Sequence, residues 1–142
     1  MKDDYKAAQA AIRDLKSGNV RGIEPAIHFL KADVYEHRSG YLKEYLWRYL
    51  IRVPLTERQA ECLLQVARKY LQRRMTREFR SMCRLANRIA NKAFRESVQE
   101  LADSASDKEV SARAKLLSAY LTSSQTGERM RIPFAAKGNE SE

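Results

Sequence analysis

Thr56-Glu57-Arg58-Gln59-Ala60-Glu61-Cys62-Leu63-Leu64-Gln65-Val66-Ala67-Arg68-Lys69-Tyr70-Leu71 reads as a helix from its cap to its last turn. Thr56 at the cap and Gln59 three residues on are the pair of a capping box, each side chain satisfying a backbone N–H that the first helical turn leaves open. Leu55, just before the cap, is placed to staple onto Ala60. Ala60, Leu63, Leu64, Ala67, Tyr70 and Leu71 then recur at spacings of three and four, which puts them on one face of a helix.

The same periodicity extends in both directions, with no stretch of strict apolar–polar alternation. Toward the N-terminus, Tyr5, Ala8, Ile12 and Leu15 mark a first helix, closed by Ser17-Gly18-Asn19. Pro25 fits the first turn of a short second helix carrying Ile27, Phe29 and Leu30. Ser39 is placed to cap a third, over about residues 40–52, rich in aromatics: Tyr41, Tyr45, Trp47 and Tyr49. This helix is expected to be central and buried on two sides.

Toward the C-terminus, Thr76 is placed to cap a fifth helix with Phe79, Met82, Cys83, Ala86, Ile89 and Ala90 on its apolar face. Asn91 interrupts it, because the stripe shifts phase to Phe94, Val98 and Leu101 of a sixth helix. Ser106 with Glu109 forms a second capping box, leading into Val110, Ala114, Leu117 and Leu121 of a seventh. After Thr122 the pattern dissolves. Residues 1–122 are therefore expected to form one all-helical domain and residues 123–142 a disordered tail. Within that tail Arg129-Met130-Arg131-Ile132-Pro133-Phe134 is a basic, apolar island of short-linear-motif character.

The expected fold class is all-α, with about seven short antiparallel helices. Residues 41–71 and 93–121 align loosely as two helix–turn–helix arms. The phrase Asp107-Lys108-Glu109-Val110-Ser111-Ala112-Arg113-Ala114 resembles the start of the second helix in HEAT-type repeats. That resemblance implies a HEAT-like stack of helical hairpins, and an irregular helical bundle is the other arrangement the pattern allows. Leu55-Thr56-Glu57-Arg58-Gln59 is similar to the opening of some helix-turn-helix domains, but the tight glycine-containing turn of that motif is absent.

Composition narrows the function classes. The 142 residues are 44% hydrophobic and 32% charged, with only five Gly and three Pro, too few for a many-stranded sheet or a glycine-rich phosphate cradle. No nucleophile elbow or Ser/His/Asp pattern is present, so the expectation is a protein that is not an enzyme and needs no cofactor. His28, Asp33, Glu36 and His37 match no metal-ligand spacing, and no metal site is expected. Cys62 and Cys83 fall within apolar helical faces and read as reduced thiols. The start Met1-Lys2-Asp3-Asp4 lacks an apolar leader, and no uncharged apolar run reaches the length of a bilayer span, so a cytoplasmic location without a membrane partner is expected.

The charge distribution carries the functional expectation. Between Arg68 and Arg95 ten bases stand against one acid, Glu78, a net of +9 that equals the formal charge of the whole protein. Seventeen bases and seventeen acids cancel elsewhere. On a helical wheel Arg84 and Arg88 fall within about 20° of Arg77, with Arg80 about 60° away, opposite the apolar half. Arg73 and Arg74, in the preceding turn, extend the ridge. Arginine presents a planar fork matched to carboxylate or phosphate, and like charges at i,i+4 repel, so the ridge calls for an anion.

That anion could be internal, supplied by Glu57 and Glu61 or by Glu96, Glu100 and Asp103. Otherwise Arg73, Arg74, Arg77, Arg80, Arg84 and Arg88 form a partner-binding surface. The leading expectation is a non-catalytic scaffold that binds an acidic protein. The alternative is a sequence-nonspecific DNA- or RNA-binding protein using the same ridge. Trp47 is the candidate hydrophobic anchor for a partner.

Overall fold

The computed structural model describes residues 2–33 and 39–127. Seven α-helices run through the described residues, which contain no strand. They are α1 (Lys2–Lys16), α2 (Ile23–Ala32), α3 (Ser39–Leu50), α4 (Glu57–Tyr70), α5 (Phe79–Ile89), α6 (Lys92–Ser104) and α7 (Lys108–Gly127). None of them is long and apolar enough to cross a membrane.

The capping box that identifies α4 is complete. The Gln59 N–H donates to Thr56 Oγ1 (3.1 Å) and the Thr56 N–H donates to Gln59 Oε1 (3.0 Å). Gln59 Nε2 also donates to Glu24 Oε2 (2.8 Å), tying α4 to α2. Asn91, expected as an interruption, also starts the next helix, because its Oδ1 accepts from the Phe94 N–H (2.8 Å). After α1 ends at Lys16, Gly18 has a φ of +84°, the left-handed conformation that lets the chain turn back over the last carbonyls. At Gly22 a Cβ would sit 2.7 Å from the Ala11 carbonyl oxygen, so only glycine lets the turn before α2 lie against α1.

Three caps differ from the sequence expectation, the first being Ser39, which is the first residue of α3 rather than the cap ahead of it. Thr76 does not cap α5, which begins at Phe79 after a turn; its side chain instead meets Arg73 Nη1 (3.2 Å). At α7 the cap is Asp107 rather than Ser106, since Asp107 Oδ1 accepts from the N–H groups of Glu109 (2.8 Å) and Val110 (3.2 Å). A carboxylate next to the helix start also opposes the positive end of the helix dipole, which a hydroxyl cannot. α7 runs past Thr122 as far as Gly127, and the rest of the expected tail, with Arg129–Phe134, lies outside the described residues.

One continuous core runs from Ala8 in α1 to Leu121 in α7. α5 is its axis, packed against α3, α4 and α7, while α1 lies on α2 and α3 and α2 reaches α4. Ser111 Oγ donates to the Ala102 carbonyl and Ser118 Oγ meets Gln99, so α7 runs back along α6 as an antiparallel hairpin. α3 lies chiefly against α1 and α5, with its principal tie to α4 at Trp47 and Tyr70. The architecture is thus a helical bundle with one well-closed hairpin.

Candidate anion-binding surface

α5 buries Phe79, Ser81, Met82, Cys83, Leu85, Ala86 and Ile89, because helices on three sides cover most of its circumference. What remains outside is a narrow strip. Arg80 and Arg84 are exposed on it, one turn apart, with Arg88 half-buried a turn further on and its Nη1 enclosed. Arg74 is exposed in the turn before the helix. Arg74, Arg80 and Arg84 have no ion-pair partner among the described residues, and no pair joins them to Glu57, Glu61, Glu96, Glu100 or Asp103. Glu61, Glu96 and Asp103 meet Gln65, Lys92 and Gln99 instead.

Arg73 has turned inward. Its side chain is 14% exposed, with Nη2 on Glu78 Oε2 (3.0 Å), Nη1 donating to the Arg74 carbonyl (3.1 Å), and the guanidinium 3.7 Å above the Tyr70 ring. Its Nε stands 2.9 Å from Asp33 Oδ2, an ion pair by distance whose angle is poor for a hydrogen bond. Asp33 also takes Lys43 Nζ at 2.6 Å, and Lys43 and Glu78 are almost completely buried. The left-handed backbone at Asp33 (φ 50°) ends α2 and turns this carboxylate toward both cations. Asp33 is thereby a structural anion. His28 is exposed on α2, and Glu36 and His37 lie outside the described residues.

Arg77 precedes α5 and so leaves the wheel position expected for it beside Arg84 and Arg88. It reaches across to α3, where Nε donates to Glu44 Oε1 (2.9 Å) and the guanidinium lies 3.8 Å from the Tyr41 ring centroid. Tyr41 foremost, then Glu44, raise its pKa above the ordinary arginine value. Gly40 permits this approach, since a Cβ there would crowd the Arg77 side chain at 3.3 Å. Internal neutralisation at Arg73 and Arg77 therefore comes from Asp33, Glu44 and Glu78 rather than from α4 and α6.

Trp47 is completely buried and is not a surface anchor. Its Nε1 donates to the Tyr70 hydroxyl (3.2 Å), and the two rings meet edge to face at 5.6 Å. Burial raises the Tyr70 hydroxyl above its ordinary range. Burial likewise pushes the Cys83 thiol up to about 12, keeping it un-ionised, while Cys62 is half-buried.

α3 differs most from its expected burial. Leu42, Lys43, Leu46, Trp47 and Leu50 face the core, whereas Tyr41 and Tyr45 are 51% and 36% exposed and Tyr49 is half-buried. Each tyrosine carries a guanidinium: Arg77 on Tyr41, Arg48 on Tyr45 (5.2 Å) and Arg52 on Tyr49 (4.7 Å). The Tyr45 and Tyr49 rings are near parallel, at 6.1 Å and 13°. The signal for this face was the i, i+4, i+8 spacing of the tyrosines with arginines three residues after the second and third.

Comparison with protein-family models, with curated proteins and with solved structures finds no match to this chain.

Proposed function

We propose that this chain is a non-catalytic helical module that binds nucleic acid through its phosphates, independently of sequence. The observation that carries the reading is the pair of exposed guanidinium groups on α5, Arg80 and Arg84, with Arg74 beside them, unmatched by any acid among the described residues. Like charges one turn apart repel by a few tenths of a kcal/mol, a cost that a bound anion relieves, and the arginine fork matches phosphate geometry. An acidic protein would offer the same charge. Nucleic acid is favoured because exposed tyrosines adjoin the arginines, joined to the ridge through Arg77, and aromatic–basic interleaving suits bases and phosphates together.

The test is fluorescence anisotropy of labelled oligonucleotides titrated with the protein at rising salt. Micromolar binding is expected at about 50 mM salt, falling steeply as salt rises. The double variant Arg80→Glu/Arg84→Glu is expected to weaken it strongly without lowering the melting temperature appreciably, since both side chains are exposed. Absence of binding even at about 50 mM salt, with polyglutamate bound instead, would transfer the ridge to an acidic protein partner.

A further inference from the structure

We infer that the ligand is single-stranded and that the tyrosine–arginine face of α3 is its base-stacking platform; this rests on the nucleic-acid reading of the ridge. Tyr41, Tyr45 and Tyr49 recur every four residues, so successive rings stand about 6 Å apart along the helix axis and point to one side of it. Tyr41 stays 51% exposed although Arg77 lies on its ring, so ring surface remains open to a ligand. The paired arginines hold positive charge beside the π-surfaces, at 3.8 Å for Arg77, 5.2 Å for Arg48 and 4.7 Å for Arg52. A base stacked on a ring then brings its phosphate within reach of a guanidinium. This combination defines sequence-tolerant single-strand platforms, because every base has a π-face.

A duplex cannot use such a face, since its bases are already stacked on one another. The face also explains an arrangement that packing does not require. Leu42, Leu46, Trp47 and Leu50 are the apolar core residues of α3 and Tyr49 packs partly against the core, whereas Tyr41 and Tyr45 are not among the residues packed on it. Among the described residues Glu44 is the acid paired with these arginines, shared between Arg48 (3.2 Å) and Arg77 (2.9 Å). Phosphates would compete for those two arginines rather than meet a bare acid. Arg77, whose guanidinium lies on the Tyr41 ring, precedes Arg80 by three residues in the chain.

The test compares oligothymidine with a duplex of equal length, on the wild-type chain and two variants. Tyr41→Ala/Tyr45→Ala is expected to weaken single-strand binding by roughly tenfold for each ring removed and to leave duplex binding unchanged. Tyr41→Phe/Tyr45→Phe keeps the rings, loses the hydroxyls, and is expected to bind as the wild type does. Melting curves verify that both variants fold. Single-strand affinity unchanged in the alanine variant would overturn the platform while leaving the ridge reading intact. Equal weakening on duplex and single strand would also overturn it, by showing the tyrosines to act through charge placement. No binding of either oligonucleotide by the wild-type chain would instead remove the nucleic-acid reading, and the platform with it.

Discussion

Arg73 and Arg80 are the same residue type on the same basic run, and their surroundings give them opposite roles. Arg73 is enclosed by Asp33, Glu78, Thr76 and the Tyr70 ring, whereas Arg80 stands in solvent on the outer strip of α5. Glu78 is 1% exposed and its Oε1 finds no hydrogen bond among the described residues, so its charge depends heavily on Arg73. Removing one member of a buried pair strands the other. Arg73→Ala is therefore expected to lower the unfolding free energy by about 3 kcal/mol, while Arg80→Ala changes it by less than about 0.5 kcal/mol. Urea denaturation of the two variants measures both. Similar values for the two would mean that the Arg73 cluster is solvated well enough to lose its arginine without cost, and that burial does not separate the two roles.

The helices themselves were largely legible, since caps and apolar phase are local properties written in consecutive residues. Thr56 and Gln59 announce α4, Asn91 marks the α5–α6 break, and the apolar stripes place all seven helices. What sequence pattern could not convey is how the elements meet. A cap at Thr76 would phase Arg77 with α5, but the helix starts at Phe79, and Arg77 lies ahead of it in contact with Tyr41 and Glu44 of α3. The tyrosines of α3 looked like core because they share a helix with leucines and Trp47, and only the positions of α1 and α5 decide which face is covered. The start of α7 shows how small such a difference can be. Ser106 fits a capping box with Glu109, yet Asp107 receives the N–H groups. Asp107→Ala is expected to cost about 1 kcal/mol and Ser106→Ala close to none. Denaturant midpoints of the two variants decide between the caps, because a capping box at Ser106 would reverse their order.

At the scale of the whole molecule, the +9 charge is neither spread over the surface nor wholly cancelled within the fold. Asp33, Glu44 and Glu78 absorb the part of the run that lies between α2, α3 and α5, and leave a ridge at Arg74, Arg80 and Arg84. Charge and stacking respond differently to salt, which allows the two surfaces to be separated. Each phosphate neutralised on a single strand contributes about −0.7 to the slope of log K against log salt. Three ridge arginines together with Arg48, Arg52 and Arg77 then predict a slope of roughly −4, and the ridge alone about −2. Arg80→Glu/Arg84→Glu removes charge contacts and is expected to flatten the line. Tyr41→Ala/Tyr45→Ala removes stacking, which releases no counterions, so its line is expected to lie below that of the wild type and parallel to it. Anisotropy titrations at four or more salt concentrations distinguish the two patterns. A flattened line for the tyrosine variant would mean that the rings serve to hold Arg48 and Arg77 in place for phosphate, and that bases never reach them.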